Sequence, residues 1–144
     1  ASLKAELTVP NISQTIVLSR FEGSTGMPKN ESLEKIASLQ TSLCLYLSAR
    51  HVATIEKTLL KYYPPETPVA IGYRVSWPDE FLELVPLEKM AITSKNKKLF
   101  RTTLYIISPA FLSHAERSNL YSPGYTHIFR PKLKDQQTLN QENN

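Results

Sequence analysis

Glycine and cysteine are scarce in this 144-residue chain, with four of the first and one of the second. The glycines, Gly23, Gly26, Gly72 and Gly124, are scattered, so there is no glycine-rich phosphate loop. A single cysteine excludes an internal disulfide. Cys44 lies in the apolar run Leu43-Cys44-Leu45-Tyr46-Leu47, which marks it as a small buried hydrophobe. The three histidines, His51, His114 and His127, are far apart and lack metal-ligand spacing, so no metal is expected. There is no nucleophile elbow and no recognisable Ser, His and Asp trio. Hydrolase and kinase chemistries therefore find no support. No apolar run reaches the ~18 residues of a membrane-spanning helix, and no charged-then-apolar leader opens the chain. The expected setting is the cytoplasm, with no membrane partner. Asn11-Ile12-Ser13 and Asn30-Glu31-Ser32 match the glycosylation pattern, but without a leader they read as chance.

What is present is an ordinary globular balance of 41% hydrophobic and 21% charged residues. A chain of this length makes one domain and buries about two-thirds of its unfolded surface. The net charge of +4 favours an anionic partner: nucleic acid, an acidic surface or a polycarboxylate small molecule. Lys95, Lys97, Lys98 and Arg101 cluster, either to bind phosphate or as a solvated loop. No aromatic residues interleave with them to stack bases, so nucleic acid is not the expected partner. Asp79 and Glu80 follow Pro78; paired carboxylates can do acid–base work, but after a proline they more often begin a turn or helix. Arg20, at a strand end beside a glycine-containing turn, offers a bidentate grip for carboxylates, or else a structural ion pair with an acid such as Glu22.

The apolar pattern predicts strands over 14–21, 43–47, 69–75, 81–85 and 102–107. A short helix after Asn30 carries Leu33, Ile36 and Ala37. The clearest amphipathic helix carries Ala49, Val52, Ala53, Leu59, Leu60 and Tyr63 and stops at Pro64-Pro65. Residues 86–100 read as a short helix and a basic loop, and Ala110 to Tyr121 as a last helix. Strands alternating with helices predict an α/β fold: a mixed, largely parallel sheet with flanking helices, in which only the 69–75 and 81–85 strands pair antiparallel.

Several strings resemble the tetrapyrrole methylases. Thr8 to Gly23, reading TVPNISQTIVLSRFEG, is similar to the stretch linking the two domains of that family. Its Arg, aromatic, Glu and Gly followed by Met27-Pro28 resemble the subgroup that methylates precorrin-4 at C11. TSLCLYLS at 41–48 resembles the family's second-domain strand, and YPPETPVA at 63–70 through Trp77-Pro78-Asp79-Glu80 resembles the next strand and turn. Ser118-Asn119-Leu120-Tyr121 with Tyr125-Thr126-His127-Ile128-Phe129-Arg130 resembles the subgroup's C-terminal signature.

The resemblance implies a C-terminal domain of a methyltransferase that uses S-adenosylmethionine and acts on C11 of precorrin-4 or cobalt-precorrin-4 in cobalamin biosynthesis. It implies residues 1–22 as interdomain linker and first strand, 23–130 as the α/β methylase domain and 131–144 as a polar, disordered tail. The family's partners would be a corrinoid tetrapyrrole substrate, a second copy in a homodimer and an N-terminal domain that carries the cofactor loop. Without that domain the chain is expected to be inactive and to bind S-adenosylmethionine weakly. Leu47 and Ser48 would flank the adenosine, with Tyr73, Arg74 and Val75 beyond the next strand and Thr102 near the adenine. Arg20 would hold substrate carboxylates. Leu47 and Val75 read from the residues alone are equally well core positions. Val75 stands where the family usually has Gly or Ala, so its extra methyls are expected to crowd the adenine, and Ser108-Pro109 stands where the family has glycine. The competing readings are a non-catalytic binding or dimerisation module and a tetrapyrrole methylase of different position specificity.

Overall fold

The apolar runs become strands and the stretches between them become helices in the computed structural model, which describes residues 5–23 and 25–112. In chain order the elements are β1 (Ile16–Arg20), α1 (Leu33–Ala37), β2 (Ser42–Tyr46), α2 (Val52–Leu59), β3 (Pro68–Tyr73), β4 (Phe81–Pro86), α3 (Met90–Asn96) and β5 (Thr103–Ile107). Ser32, not Asn30, caps α1, its hydroxyl accepting from the Lys35 N–H. Residues 86–100, expected to be a short helix and a basic loop, form both: a 3-10 turn at Leu87–Lys89 runs directly into α3, and the loop with Lys97 and Lys98 follows. The expected helix from Ala110 has only its beginning, a 3-10 turn at Pro109–Leu112, among the described residues. The rest of it, the C-terminal signature and the polar tail lie outside them.

The five strands form one mixed sheet in the order β1-β2-β5-β3-β4. The mixed α/β architecture is as expected, but the sheet is not largely parallel. Only β1 with β2 is a parallel pair, whereas β2–β5, β5–β3 and β3–β4 are all antiparallel. The reason is the place of β5. The helical crossovers do send β1, β2 and β3 in one direction, as alternation predicts. The last strand then inserts between β2 and β3 in the opposite sense and converts what would be a parallel neighbour pair into two antiparallel ones.

Alternate strand residues meet all three helices in a single core. Leu43 and Leu45 of β2, Val69 and Ile71 of β3, Val85 of β4, and Tyr105 and Ile107 of β5 pack with Leu33 and Ala37 of α1, Ile55 and Leu59 of α2, and Met90 of α3. Leu43, Leu45, Ile55, Leu59, Ile71, Met90, Tyr105 and Ile107 lose all contact with solvent. At ~25 cal/mol per Å² of apolar surface, each fully buried aliphatic side chain contributes about 1.5–3 kcal/mol. The buried stripe of the second helix differs from the expected one. Ile55 is in the core while Ala53 is exposed, because the buried positions step through Ala49, Ile55, Leu59 and Tyr63.

At the end of the sheet where β2 begins, a knot of serines ties the opening segment down. The Ser42 hydroxyl donates to the Leu7 carbonyl at 2.6 Å and lies 2.7 Å from the Ser108 hydroxyl. The Ser13 hydroxyl accepts from the Ser42 N–H at 3.0 Å. Every member of this buried cluster has a partner, which removes the desolvation penalty that isolated hydroxyls would carry.

Candidate functional site

The opposite end of the sheet gathers the site residues. The register pairs Arg20 with Tyr46 across β1 and β2, Leu45 with Tyr105 across β2 and β5, and Tyr73 with both Thr103 and Phe81 across β3, β5 and β4. The C-terminal ends of β1, β2 and β3 therefore lie beside the N-terminal ends of β4 and β5. Arg20, Leu47, Ser48, Tyr73, Arg74, Val75 and Thr102 all stand on or just beyond this one edge.

Three of these residues flank their strands in the left-handed region: Leu47 at φ 53° and Arg74 at φ 47° after β2 and β3, and Thr102 at φ 52° before β5. None is glycine, so each carries a strain of roughly 1–3 kcal/mol that the surrounding packing must hold. Such backbone turns concentrate where a chain must present its polar groups in fixed directions. The Arg74 N–H donates to the Thr102 carbonyl at 2.9 Å, which couples the exit of β3 to the entry of β5.

The side chains divide into presenters and supports. Leu47 is 86% exposed, so it is no core residue. Ser48 is fully buried, and its hydroxyl accepts from the Phe21 N–H at 2.8 Å and donates to the Tyr46 carbonyl at 2.6 Å. Ser48 thus fixes the turn that raises Leu47, and it binds the chain after β1 to the end of β2. Phe21 is held further by His51, whose ring centroid is 5.2 Å away. Val75 turns back onto the sheet: a Cβ at Gly72 would lie 2.9 Å from the Val75 Cγ2 and 3.4 Å from the Leu82 Cδ2. The bulk that the sequence places near an adenine is folded over a glycine.

Arg20 and Leu47 line one open cavity of about 370 Å³, together with Tyr46, Met27, Pro28 and Glu31. The guanidinium donates to the Gly26 carbonyl at 2.9 Å and, at 3.5 Å, to that of Phe21. It has no carboxylate partner among the described residues, in contrast to Arg74, which pairs with Asp79 at 2.5 Å. The structural ion pair with Glu22 is thus not formed, and part of the donor fork stays available.

The turn between β3 and β4 is built around Trp77, which the sequence marks only as a turn residue. The Arg74 guanidinium carbon sits 4.2 Å from the Trp77 ring centroid while Asp79 holds the same guanidinium. The Trp77 N–H donates to the Arg74 carbonyl at 2.9 Å, and the Ser76 N–H donates to Glu80 Oε2 at 2.6 Å. Asp79 and Glu80 are turn-builders here. Trp77 nonetheless remains 53% exposed.

Behind the edge, α2 and α3 enclose a second, mostly apolar cavity of about 440 Å³, with Arg50 and Lys95 at its border. Glu56 ties the two helices by accepting from the Ala91 N–H at 2.6 Å. Burial pushes up the pKa of Cys44, Tyr63 and Tyr105, all of them interior positions that it holds in the protonated form. Among the described residues no three His, Cys, Asp or Glu side chains come together to hold a metal, and no helix is long and apolar enough to cross a membrane. The edge therefore offers backbone polar groups, a guanidinium, and exposed apolar and aromatic side chains. That is equipment for binding and orienting rather than for proton transfer.

The sequence profile described as Tetrapyrrole (Corrin/Porphyrin) Methylases matches residues 1–91. A cobalt-precorrin-4 C(11)-methyltransferase from Methanocaldococcus jannaschii is 34% identical over 139 residues, covering 93% of this chain and 52% of the relative. A precorrin-4 C(11)-methyltransferase from Pseudomonas aeruginosa is 33% identical over 132 residues, covering 91% and 53%. The X-ray structure of a cobalt precorrin-4 methyltransferase superposes with a TM-score of 0.73 at 26% identity, over 76% of this chain and 46% of that one. A uroporphyrin-III C-methyltransferase from Thermus thermophilus, complexed with S-adenyl homocysteine, shares the fold with a TM-score of 0.61 at 19% identity, over 77% and 49%. The chain spans about half the length of the curated relatives it matches.

Proposed function

The chain belongs to the tetrapyrrole (corrin/porphyrin) methylase family, and from that premise we propose that it is the C-terminal half of an S-adenosylmethionine-dependent methyltransferase acting on C11 of precorrin-4 or cobalt-precorrin-4 in cobalamin biosynthesis. The observation that carries this reading is the 33–34% identity to proteins of that specificity along more than nine-tenths of the chain. The gathering of Arg20, Leu47, Tyr73, Arg74 and Thr102 on one sheet edge gives the reading a physical site.

When bound, S-adenosylmethionine supplies an electrophilic methyl group on a sulfonium. The residues present fit such a ligand. The left-handed turn at Leu47 lifts an exposed side chain that suits the apolar face of an adenine, while the Arg74 N–H and the Thr102 carbonyl bond each other and fix the far wall of the same edge. Tyr73 lies in the ladder next to Thr103 and carries Arg74 into position. Val75 packs on Gly72 while part of its side chain stays exposed beside that turn. Ser48 contributes by holding the Leu47 turn through its buried hydroxyl. Arg20, unpaired with any described carboxylate, is placed to grip carboxylates of the tetrapyrrole. A sulfonium is already a good leaving group, so what this half must provide is alignment and exclusion of water. An N-terminal domain that completes the cleft and a homodimeric assembly belong to the same proposal, and relatives about twice as long support the first.

The test is an assay of the longer protein containing this chain, with labelled S-adenosylmethionine and precorrin-4 or its cobalt form. The expected product gains one labelled methyl group, placed at C11 by NMR. A methyl group on another carbon, or none, overturns the proposal.

A further inference from the structure

We propose that Trp77 is a stacking contact for the tetrapyrrole macrocycle, at the far side of the same edge from Arg20. The inference rests on the proposed function and adds a residue that the sequence marks only as part of a turn. Tryptophan is the one side chain of its kind in the chain, and it stays 53% exposed at the tip of the β3–β4 connection, where two β-turns meet. An exposed indole gains little from burial, yet this one is held in place on several sides. Arg74 lies 4.2 Å from its centroid, Asp79 fixes that arginine, and the turn closes through the 2.9 Å hydrogen bond from Trp77 to Arg74. The Arg74 charge is largely compensated by Asp79, so the tip is not primarily an anion trap. What it presents is a fixed, polarised aromatic surface.

Arg20 ends β1 and Arg74 ends β3, and the sheet order places β2 and β5 between them. Three strand spacings of about 4.8 Å put the two ends ~14 Å apart along the edge. That span suits a tetrapyrrole lying across the edge, with a peripheral carboxylate at Arg20 and part of the ring system over Trp77. Between them the Tyr46 side chain is half-exposed and adds a second aromatic surface for the macrocycle, with Leu47 left to the adenine.

Because Trp77 is the single tryptophan, its emission reports on the contact directly. The experiment is a fluorescence titration of this chain with uroporphyrin, a flat tetrapyrrole ringed by carboxylates, alongside the shift of the porphyrin absorption band. Saturable quenching of Trp77 is expected, with the same midpoint by absorption. Trp77→Ala should weaken binding roughly 5- to 30-fold and Trp77→Phe less than about 3-fold. Circular dichroism of each variant checks that the fold is kept. Binding that leaves the emission unchanged, a Trp77→Ala variant that binds as tightly as the parent, or no binding at all, overturns the inference. Each of these results leaves the methyl-transfer proposal standing, because that is judged by product formation in the longer protein. Conversely, a failed transfer assay with quenching intact removes the enzymatic reading and keeps the tetrapyrrole contact.

Discussion

Gly72 and Val75 occupy one another's space: a β-carbon on residue 72 would come within 2.9 Å of the Val75 Cγ2. The glycine, one residue from the end of a buried strand, is therefore the floor on which Val75 lies. Gly72→Ala should drive Val75 outward and cost about 1 kcal/mol of stability. Adding Val75→Ala should recover at least half of the loss. Urea denaturation of the single and double variants measures both, and simple additivity would show that the two positions are not coupled.

Ser48→Ala removes an acceptor from the Phe21 N–H and a donor from the Tyr46 carbonyl, both in a buried setting. A loss of roughly 1–3 kcal/mol is expected. Hydrogen exchange should accelerate at Phe21, whose amide loses its partner. A stability change under 0.5 kcal/mol would count against the anchoring role.

Arg20→Ala in the longer protein should raise the KM for the tetrapyrrole roughly 10- to 100-fold, the scale of a lost charge-assisted hydrogen bond. The affinity for S-adenosylmethionine should hardly change. Arg20→Lys should restore little, because an ammonium lacks the planar fork. Since the Arg20 guanidinium also holds the Gly26 carbonyl, the melting temperature must be followed alongside, so that loop loosening is told apart from lost substrate contact.

Burial pushes the Tyr63 phenol up to about 12. It raises Tyr105 as well, against a smaller opposing effect of its hydrogen bond with Ser94. An unfolded phenol ionises near 10. Below that pH both states keep the proton and the fold has its full stability. Above it the unfolded chain sheds protons that the folded chain retains, so stability falls as pH rises through about 12. The unfolding free energy from urea titrations should therefore drop between pH 10 and 12, by an amount on the order of 3 kcal/mol for Tyr63. Tyr63→Phe should flatten that drop.

How far the sequence reaches is clearest in β2. Four consecutive buried positions, Ser42 to Leu45, make a strand that periodicity alone identifies as interior. Periodicity says nothing about neighbours, so the insertion of β5 between β2 and β3 was not legible: every strand keeps its own pattern whichever partner it takes. Ile55 was hidden for another reason. Val52, Ala53 and Ile55 are all apolar within one helical turn, and only packing decides which of them faces inward. The edge residues Leu47 and Thr102 could be singled out by resemblance, not by chemistry, because non-glycine residues give no local sign of a left-handed turn. Trp77 was visible all along, but its Pro-Asp context marks a turn and conceals the exposed ring.

The place of β5 also sets an order of events during synthesis. Until residue 107 has left the ribosome, β1–β2 and β3–β4 are two separate pairs with no strand to join them. Each has one inner edge unpaired. The contacts that unite the sheet, such as Leu43 with Ile107 and Val69 with Ile107, close late and span up to 64 residues of chain (107 − 43). A nascent chain halted before β5 would be a pair of sticky half-sheets, and one strand's arrival turns it into a folded unit.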